Sequence, residues 1–350
     1  MQAKTEDTEN KIAQLAKSIT VSLKDSINNI KSVNEDIHVL SINSKIQAAK
    51  AGKIGAVFSV IADSIQKLVG RTQKITEDLQ QSVETTITQL TDINGYLGTQ
   101  VRGERLFQAS INMIDIIDRN LYERSCDVRW WATGNSVVNA LKNKNEQTAE
   151  KCSQRLKTIL DSYTVYFDII VCDLNGEIIS NGKPDLYASK GKHVENTEFF
   201  KSALATANGE EFGFEGVHKS PLVENKNVLV YSCGVREDGN TDGELLGVLC
   251  VIFNWDGLGK VVVEKTAKML KEETEHSITT KIIYSNGQSI ASSNGNTSCI
   301  SSNVMDIMKK NQPYGFILPE NTGDILYGFA FSQGFETYKT GWIALVEEQH

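Results

Sequence analysis

The fold of this chain depends on the stretch Leu40-Ser41-Ile42-Asn43-Ser44-Lys45-Ile46-Gln47-Ala48-Ala49-Lys50-Ala51-Gly52-Lys53-Ile54-Gly55. It continues as Ala56-Val57-Phe58-Ser59-Val60-Ile61-Ala62-Asp63-Ser64-Ile65-Gln66-Lys67-Leu68. Small residues let helices approach closely, and glycine accepts the positive φ that a tight reversal needs. The stretch therefore predicts a long helix, a short tip at Gly52–Gly55 and a second long helix that returns alongside the first.

Residues on both sides of this tip alternate at spacings of three and four, which is the pattern of a coiled-coil seam. On the first arm the seam positions are Ile12, Ala16, Ile19, Leu23, Ser26, Ile30, Val33, Ile37 and Leu40. On the second arm they are Ile61, Ile65, Leu68, Thr72, Ile75, Leu79, Ser82, Thr86, Leu90 and Ile93. Two helices cannot bury so long a stripe, so we expect a homodimer in which two hairpins form a four-helix bundle.

The tip resembles the signalling hairpin of bacterial methyl-accepting chemotaxis proteins over residues 33–75. The matching positions are those that build the hairpin, namely Asn43, Ile46, Ala48, Ala49, Gly52, Gly55 and Phe58. The resemblance implies that the tip contacts a chemotaxis histidine kinase and its coupling protein. The implied contact residues are Asn43, Ile46, Gln47, Lys50 and Phe58.

The chain departs from that family at several charged or glycine positions. The residues found there are Gln47, Lys53, Ala56, Val57, Ser64 and Gln66. Interface charges control specificity and association rate more than gross affinity, so we expect a weakened docking surface. Gln80-Gln81, with Glu84-Thr85 nearby, is faintly similar to a methylation site, but we favour a solvated helix face as the explanation.

Beyond the hairpin, a connecting helix is predicted to run to about residue 144, followed by a helix at about 147–160. Two sets of short strand-like runs come next. The first set covers 163–172, 177–180, 212–217, 228–235 and 245–254, and the second covers 281–284, 288–292, 315–318, 325–331 and 342–347. Asn175-Gly176 occupies the same place in the first set as Asn286-Gly287 in the second. This repetition predicts two related antiparallel sheet modules in tandem.

A long helix that leads into two such modules resembles a double Cache sensor domain over roughly residues 104–350. The predicted fold class is therefore α+β, a helical coiled-coil hairpin followed by two Cache-like antiparallel sheet modules. The predicted domains are a hairpin at 1–103, a connecting helix at 104–145, a first sensor module at 146–268 and a smaller second module at 269–350. Amino-acid-binding members of that family carry an arginine where this chain has Thr197, so a free amino acid is a poor candidate ligand.

The resemblance places a small-molecule site in the first module, beneath the loops at 183–223. The candidate lining residues are Phe199, Phe200, His218, Tyr231 and Asp168. Asp168 lies inside an apolar run, where a buried carboxylate without a partner would be costly, so it is either exposed at a sheet edge or lines a pocket. His218 either lines the pocket or lies on an exposed loop. Of the adjacent Trp130 and Trp131, one is expected to pack on the sheet that follows.

Composition narrows the function further. The 350 residues can bury a sizeable core, and the formal net charge of −8 argues against a general nucleic-acid binder. The six cysteines form no CxxC pair, which favours buried free thiols over disulfides. No apolar run approaches a membrane span and the N-terminus is polar, so we expect a cytoplasmic protein. No catalytic or metal-binding motif is present, so we expect neither an enzyme nor a cofactor.

Three hypotheses follow. The first is a cytosolic signal-transduction protein that senses a small molecule through its Cache-like part and signals through a dimeric hairpin. The second is a dimeric scaffold that modulates chemoreceptor arrays without sensing. The third is an enzyme regulator that uses the hairpin only to dimerise.

Overall fold

The computed structural model describes residues Ala3–Gln349, with side chains described from Gln14 onward. The chain forms two compact units, residues 1–102 and residues 103–350. Its helices are α1 (Ala3–Lys50), α2 (Ala56–Ala132), α3 (Asn135–Asn143), α4 (Glu146–Ser162), α5 (Glu198–Leu204), α6 (Val261–Lys271) and α7 (Ser302–Lys310). Its first five strands are β1 (Tyr166–Asp173), β2 (Ile178–Asn181), β3 (Gly213–Ser220), β4 (Lys226–Arg236) and β5 (Leu245–Asn254). The second five are β6 (Ser277–Ile283), β7 (Ser289–Ser292), β8 (Tyr314–Ile317), β9 (Ile325–Phe331) and β10 (Ile343–Gln349).

The predicted hairpin is confirmed. A short 3₁₀ turn at Gly52–Gly55 joins α1 to α2, and Gly52 has a φ of +61°. At the tip, a Cβ on Gly55 would lie 2.0 Å from the carbonyl oxygen of Ala48, so the two backbones touch directly. Further from the tip, the Ser41 hydroxyl donates to the Ala62 carbonyl at 2.8 Å. The arms are therefore held together by small residues at very close approach.

The predicted seam is wrong at many of its large residues, although its positions Ala16, Leu23, Ile37, Ile65 and Thr72 are half-buried. The buried positions of α1 are Ile27, Asn34, Ser41 and Ala48, and those that face them from the tip and α2 are Gly55, Ala62, Val69 and Thr76. These positions repeat every seven residues, but most are small or polar. Large predicted seam residues are instead exposed on the hairpin, among them Val33, Leu40, Ile61, Leu68 and Ile75. The side chain of Ile12 lies outside the described residues.

Asn34 is a polar group buried in this seam. Its side chain is 8 % exposed and its amide nitrogen has no hydrogen-bond partner among the described residues. A buried unsatisfied donor costs about 1–3 kcal/mol. We therefore expect Asn34→Val to stabilise the hairpin by about 1 kcal/mol, measured as slower amide hydrogen exchange over residues 27–41. The control is Asn28→Val at an exposed position of the same helix, and an equal gain there would show that burial of Asn34 is not the cause.

The connecting helix ends earlier than predicted. Helix α2 ends at Ala132, not near Lys144, and α3 begins at Asn135 after an extended Gly134 with φ −67° and ψ 129°. Trp131 is 7 % exposed and packs edge-on against Tyr163 and Tyr166, whereas Trp130 is 71 % exposed. The prediction that one of the two tryptophans packs on the following sheet is confirmed.

The tandem sheet modules are also confirmed. The strand order is β2-β1-β5-β4-β3 in the first sheet and β7-β6-β10-β9-β8 in the second, so equivalent strands occupy equivalent places. The turns of the two equivalent hairpins contain Gly176 with φ +83° and Gly287 with φ +89°. A left-handed backbone is available to glycine without steric cost, which explains why the Asn-Gly pair occurs twice.

The sheets share one core on the face that carries α2. Leu106, Met113, Ile117 and Leu121 of α2 join a buried cluster with residues of both sheets. Two smaller clusters lie elsewhere in this unit, one around α5 on the first sheet and one around α7 on the second. The cysteines are free, with Cys152, Cys172, Cys233 and Cys250 buried, Cys126 half-buried and Cys299 exposed.

Candidate functional sites

Asp168 is fully buried in the first sheet, so it is neither at an exposed edge nor beside an open pocket. Its carboxylate accepts hydrogen bonds from the backbone N–H groups of Ile169, Gly182 and Lys183 at 2.8–3.0 Å and from the Asn181 amide at 2.8 Å. The Asn181 amide also donates to the Tyr187 carbonyl at 2.9 Å. Asp168 therefore ties β1 to the start of the loop that covers this sheet.

Burial raises the pKa of Asp168 from 3.8 to about 6, because desolvation outweighs the hydrogen bonds from Asn181 and the backbone. A pKa raised by folding means that the folded state binds the proton more tightly than the unfolded state. The resulting stabilisation is complete below about pH 3.8 and is lost as pH rises through about 6.

We therefore expect the free energy of unfolding of the wild type to fall by about 2 kcal/mol more than that of Asp168→Asn between pH 4 and pH 7. Urea titrations at a series of pH values, followed by tryptophan fluorescence, would measure this difference. All four tryptophans lie in residues 103–350, so the signal reports on the sheet-bearing unit. Parallel pH profiles of the two proteins would contradict the assignment.

Phe199 and Phe200 lie on α5 and are each 2 % exposed. They pack against Ile170, Val228 and Ile252 on one face of the first sheet. The two rings are therefore packed against their neighbours and do not line an open pocket. A ligand at this position would have to displace them.

Tyr231 lies in the core on the other face of the sheet, away from the cluster around Phe199 and Phe200. Its hydroxyl is 2.5 Å from that of Tyr338, which belongs to the second module. Nearby, the Tyr284 hydroxyl accepts a hydrogen bond from the Val217 N–H at 2.8 Å, at the point where the register of β3 shifts. Tyr231 therefore contacts the second module instead of joining the other predicted ligand residues.

His218 is half-buried on β3, and its Nδ1 lies 2.8 Å from the Gly216 carbonyl oxygen. The same nitrogen is 3.7 Å from the carboxylate of Glu215. Glu215 in turn accepts a hydrogen bond from the Phe199 N–H in the first turn of α5, at 3.1 Å. Of the five predicted site residues, His218 has the most accessible side chain, and the ligand-binding role of the whole set stays a prediction.

The hairpin tip carries a groove of about 500 Å³. Its lining includes Asn43, Gln47 and Phe58, three of the five predicted contact residues. Phe58 is 62 % exposed and Ile46 is 48 % exposed, and Lys50 is also exposed. Lys45 pairs with Asp63 and donates to the Gln66 side chain at 2.9 Å. The tip thus combines an apolar groove with a pair of charges that already neutralise each other.

Asp118 on α2 is a buried residue with a structural role that the sequence did not predict. It is 1 % exposed, and its carboxylate accepts hydrogen bonds from the Ser332 and Thr340 hydroxyls at 2.7 Å and from the Gly334 N–H at 3.0 Å. An aspartate next to Ile117 on the apolar face of α2 was the available signal. Through these hydrogen bonds, the Asp118 carboxylate holds the loop between β9 and β10 against α2.

No protein-family model matches the chain. Curated proteins similar to it are methyl-accepting chemotaxis proteins. McpS of Pseudomonas putida is 44 % identical over 54 residues, which are 15 % of this chain and 8 % of McpS. PctB of Pseudomonas aeruginosa is 25 % identical over 176 residues, which are 42 % of this chain and 28 % of PctB. The chain thus matches less than a third of the length of either relative.

Among solved structures, the ligand-binding domain of the Campylobacter jejuni chemoreceptor Tlp3 in complex with 4-methylisoleucine is similar to this chain. The TM-score is 0.49 at 14 % identity, covering 72 % of this chain and 92 % of that one. The chain is thus similar in part of its length to methyl-accepting chemotaxis proteins, and it folds as a helical hairpin followed by two five-stranded antiparallel sheets. In the described part of the chain, no helix is both long enough and apolar enough to cross a membrane.

Proposed function

We propose that the chain is a cytoplasmic signal-transduction protein whose sheet-bearing unit senses a small molecule and whose hairpin dimerises and contacts a chemotaxis kinase and its coupling protein. The observation that carries the proposal is the exposed apolar stripe of the hairpin. Val33, Leu40, Ile61, Leu68 and Ile75 are 50–63 % exposed. The interior of the hairpin is already filled by a different set of residues, so this stripe is free to pack against a second hairpin.

Dimerisation is tested with Leu68→Glu, which places a charge in the stripe, and with Lys67→Glu as the neighbouring control. Leu68 is 60 % exposed, so the substitution should leave the single hairpin intact. By sedimentation equilibrium at about 20 µM, we expect a wild-type dimer, a monomeric Leu68→Glu variant and a dimeric Lys67→Glu variant. A wild-type monomer at this concentration would contradict the proposal.

We infer that sensing occurs in the first module, with Asp168, Phe199, Phe200 and His218 as the residues that respond to the ligand. Tyr231, on the other face of the sheet, would respond only through its contact with Tyr338. Opening of the packed layer around Phe199 and Phe200 would form the pocket. A ligand that binds only the folded state stabilises it, by about 2.7 kcal/mol at a concentration of 100 times Kd. A thermal-shift screen of small metabolites on the full chain tests this proposal, with His218→Ala and Phe199→Leu expected to reduce the shift produced by any hit.

A second candidate function is favoured by the packing of the same layer. Because Phe199 and Phe200 are each 2 % exposed, the chain would serve as a dimeric scaffold that modulates chemoreceptor arrays without sensing. The two functions differ in one measurement. A scaffold binds the kinase and coupling protein but shows no thermal shift with any metabolite.

Tip docking is tested by pull-down against a chemotaxis kinase and its coupling protein. We expect binding that Phe58→Ala weakens strongly, because Phe58 is the largest exposed side chain lining the tip groove. Asn43→Ala removes a second lining residue, and His38→Ala, outside the groove, is the control. Binding that survives both tip substitutions would indicate that the tip is only a structural turn.

The cytoplasmic location is tested by cell fractionation, where recovery with membranes would contradict it.

A further inference from the structure

A groove of about 590 Å³ runs between α2 and α6 in the sheet-bearing unit. It is separate from the first-module residues discussed above. Its apolar lining consists of Ala109, Met113, Ile116, Leu258, Val261, Val262 and Met269. Its volume lies in the range of small-molecule sites, about 300–1,000 Å³.

The groove has a local cause in the sequence of α6. The core face of this helix is formed by Val262, Val263, Ala267 and Leu270, which are buried. Val261, Lys265 and Met269 follow at intervals of four and so form a second ridge on the helix. Val261 and Met269 are each 52 % exposed, although this face of an amphipathic helix is normally polar. The exposed Ile116 of α2, at 43 %, also lines the groove.

The wall before α6 is also unusual. A π-helical turn at Asp256–Lys260 leads into the helix, and such turns occur frequently at functional sites. Gly257 of this turn lines the groove. Met269, which is 52 % exposed, contributes a flexible thioether side chain that adapts to ligands of different shape. The groove is therefore apolar, adaptable and open at its rim.

The charges at the rim select the kind of ligand. Two charged residues line the groove, Asp115 and Lys265, and Asp115 is neutralised by Arg119 at 2.7 Å. Lys265, between the two exposed apolar residues of α6, forms no ion pair with any described residue. The unneutralised charge of the groove is thus positive. A ligand with an alkyl chain would complement the apolar lining, and an anionic head group on the same ligand would complement the charge of Lys265.

We propose that the groove between α2 and α6 binds an amphipathic carboxylate, with its alkyl chain along Ile116, Val261 and Met269 and its carboxylate at Lys265. The groove has twelve lining residues. A stable protein interface uses about 20–30 residues on each side, so a small ligand fits the groove better than a second copy of the chain. Because α6 lies between the two sheets in sequence, an occupied groove would contact the segment that joins the two modules.

The test is isothermal titration of the full chain with sodium decanoate and with decyltrimethylammonium, which share a ten-carbon chain and carry opposite charges. We expect decanoate to bind below 1 mM and the ammonium compound to bind about fivefold more weakly or worse. Lys265→Glu should reverse this preference, and Lys309→Glu on the exposed end of α7 should leave it unchanged. A reversal of preference cannot come from misfolding, which would weaken both compounds.

The apolar part of the proposal is tested with Ile116→Asp, for which we expect about tenfold weaker decanoate binding. Leu174→Asp, at an apolar position 47 % exposed and outside the groove, is the control. Three results would overturn the proposal: no decanoate binding up to 1 mM, a Lys265→Glu variant with unchanged preference, or an Ile116→Asp variant that dissociates a dimer in sedimentation. The last result would identify the groove as an interface between copies. Each of these outcomes is independent of whether the first module binds a metabolite.

Discussion

Replacing Asp118 by alanine is expected to lower the free energy of unfolding of the sheet-bearing unit by about 3–5 kcal/mol. The carboxylate is 1 % exposed and accepts hydrogen bonds from Ser332, Gly334 and Thr340. The two hydroxyls can rotate toward other acceptors. The Gly334 N–H, and the Thr340 N–H that donates at 3.3 Å, are fixed in the backbone and would lose their partner. Hydrogen bonds to a charged acceptor contribute about 1.5–3 kcal/mol each, so the loss is large.

Asp115→Ala is the matched control for this experiment. Asp115 lies one turn earlier on the same helix and pairs with Arg119, but its side chain is 47 % exposed. Exposed ion pairs contribute about 0–1 kcal/mol, so the control should change stability by less than 1 kcal/mol. Urea unfolding followed by tryptophan fluorescence measures both variants. A loss for Asp118→Ala no larger than that of Asp115→Ala would show that the loop between β9 and β10 does not depend on the carboxylate.

The hairpin tip should be equally sensitive to a single methyl group. In Gly55→Ala the new Cβ would lie 2.0 Å from the oxygen and 2.8 Å from the carbon of the Ala48 carbonyl. Backbone atoms cannot move aside as a flexible side chain can, so the arms must separate at the tip. We expect a loss of about 3 kcal/mol or more in local stability, seen as faster amide hydrogen exchange over residues 44–60. The tip groove, which Gly55 also lines, would change shape.

Gly70→Ala provides the control because a Cβ at Gly70 meets no atom within 4 Å. Gly70 lies within α2, where alanine is favoured over glycine by about 0.5–1 kcal/mol. This variant should therefore gain stability where Gly55→Ala loses it. If the two substitutions change hydrogen exchange in the same direction, the close approach at Gly55 is not what holds the tip.

Much of the fold could be predicted because its signals are local. Strand-like runs separated by Asn-Gly turns predicted both sheets, and Gly176 and Gly287 have the positive φ that such turns require. The seam of the hairpin was misassigned at many of its large apolar residues for a physical reason. At close approach the space between two helices admits Ser41, Ala48 and Ala62, and so the large apolar residues lie outside it. A search of the sequence for regularly spaced large apolar residues therefore identifies the exposed apolar stripe and not the contact between the two arms.

The candidate sites were harder to predict, because they depend on contacts between distant residues. Asp168 could be recognised as an anomaly in an apolar strand, but the partners that satisfy it come from the loop after β2. Asp118 and Ser332 are 214 positions apart. The side of the sheet to which Tyr231 belongs, and the tight packing of Phe199, are properties of three-dimensional packing. No spacing in the sequence carries that information.

The uneven burial of the cysteines gives the protein a built-in site for chemical labelling. Burial raises the pKa of the Cys152 and Cys233 thiols to about 11, so at neutral pH almost none of either is the reactive thiolate. Cys172 and Cys250 are also buried, whereas Cys299 is exposed. A maleimide fluorophore should therefore attach first at Cys299 of the folded chain, without any substitution. The number of labels per chain would then rise toward six as the protein unfolds, so thiol counting by mass spectrometry reads out opening of the sheet-bearing unit.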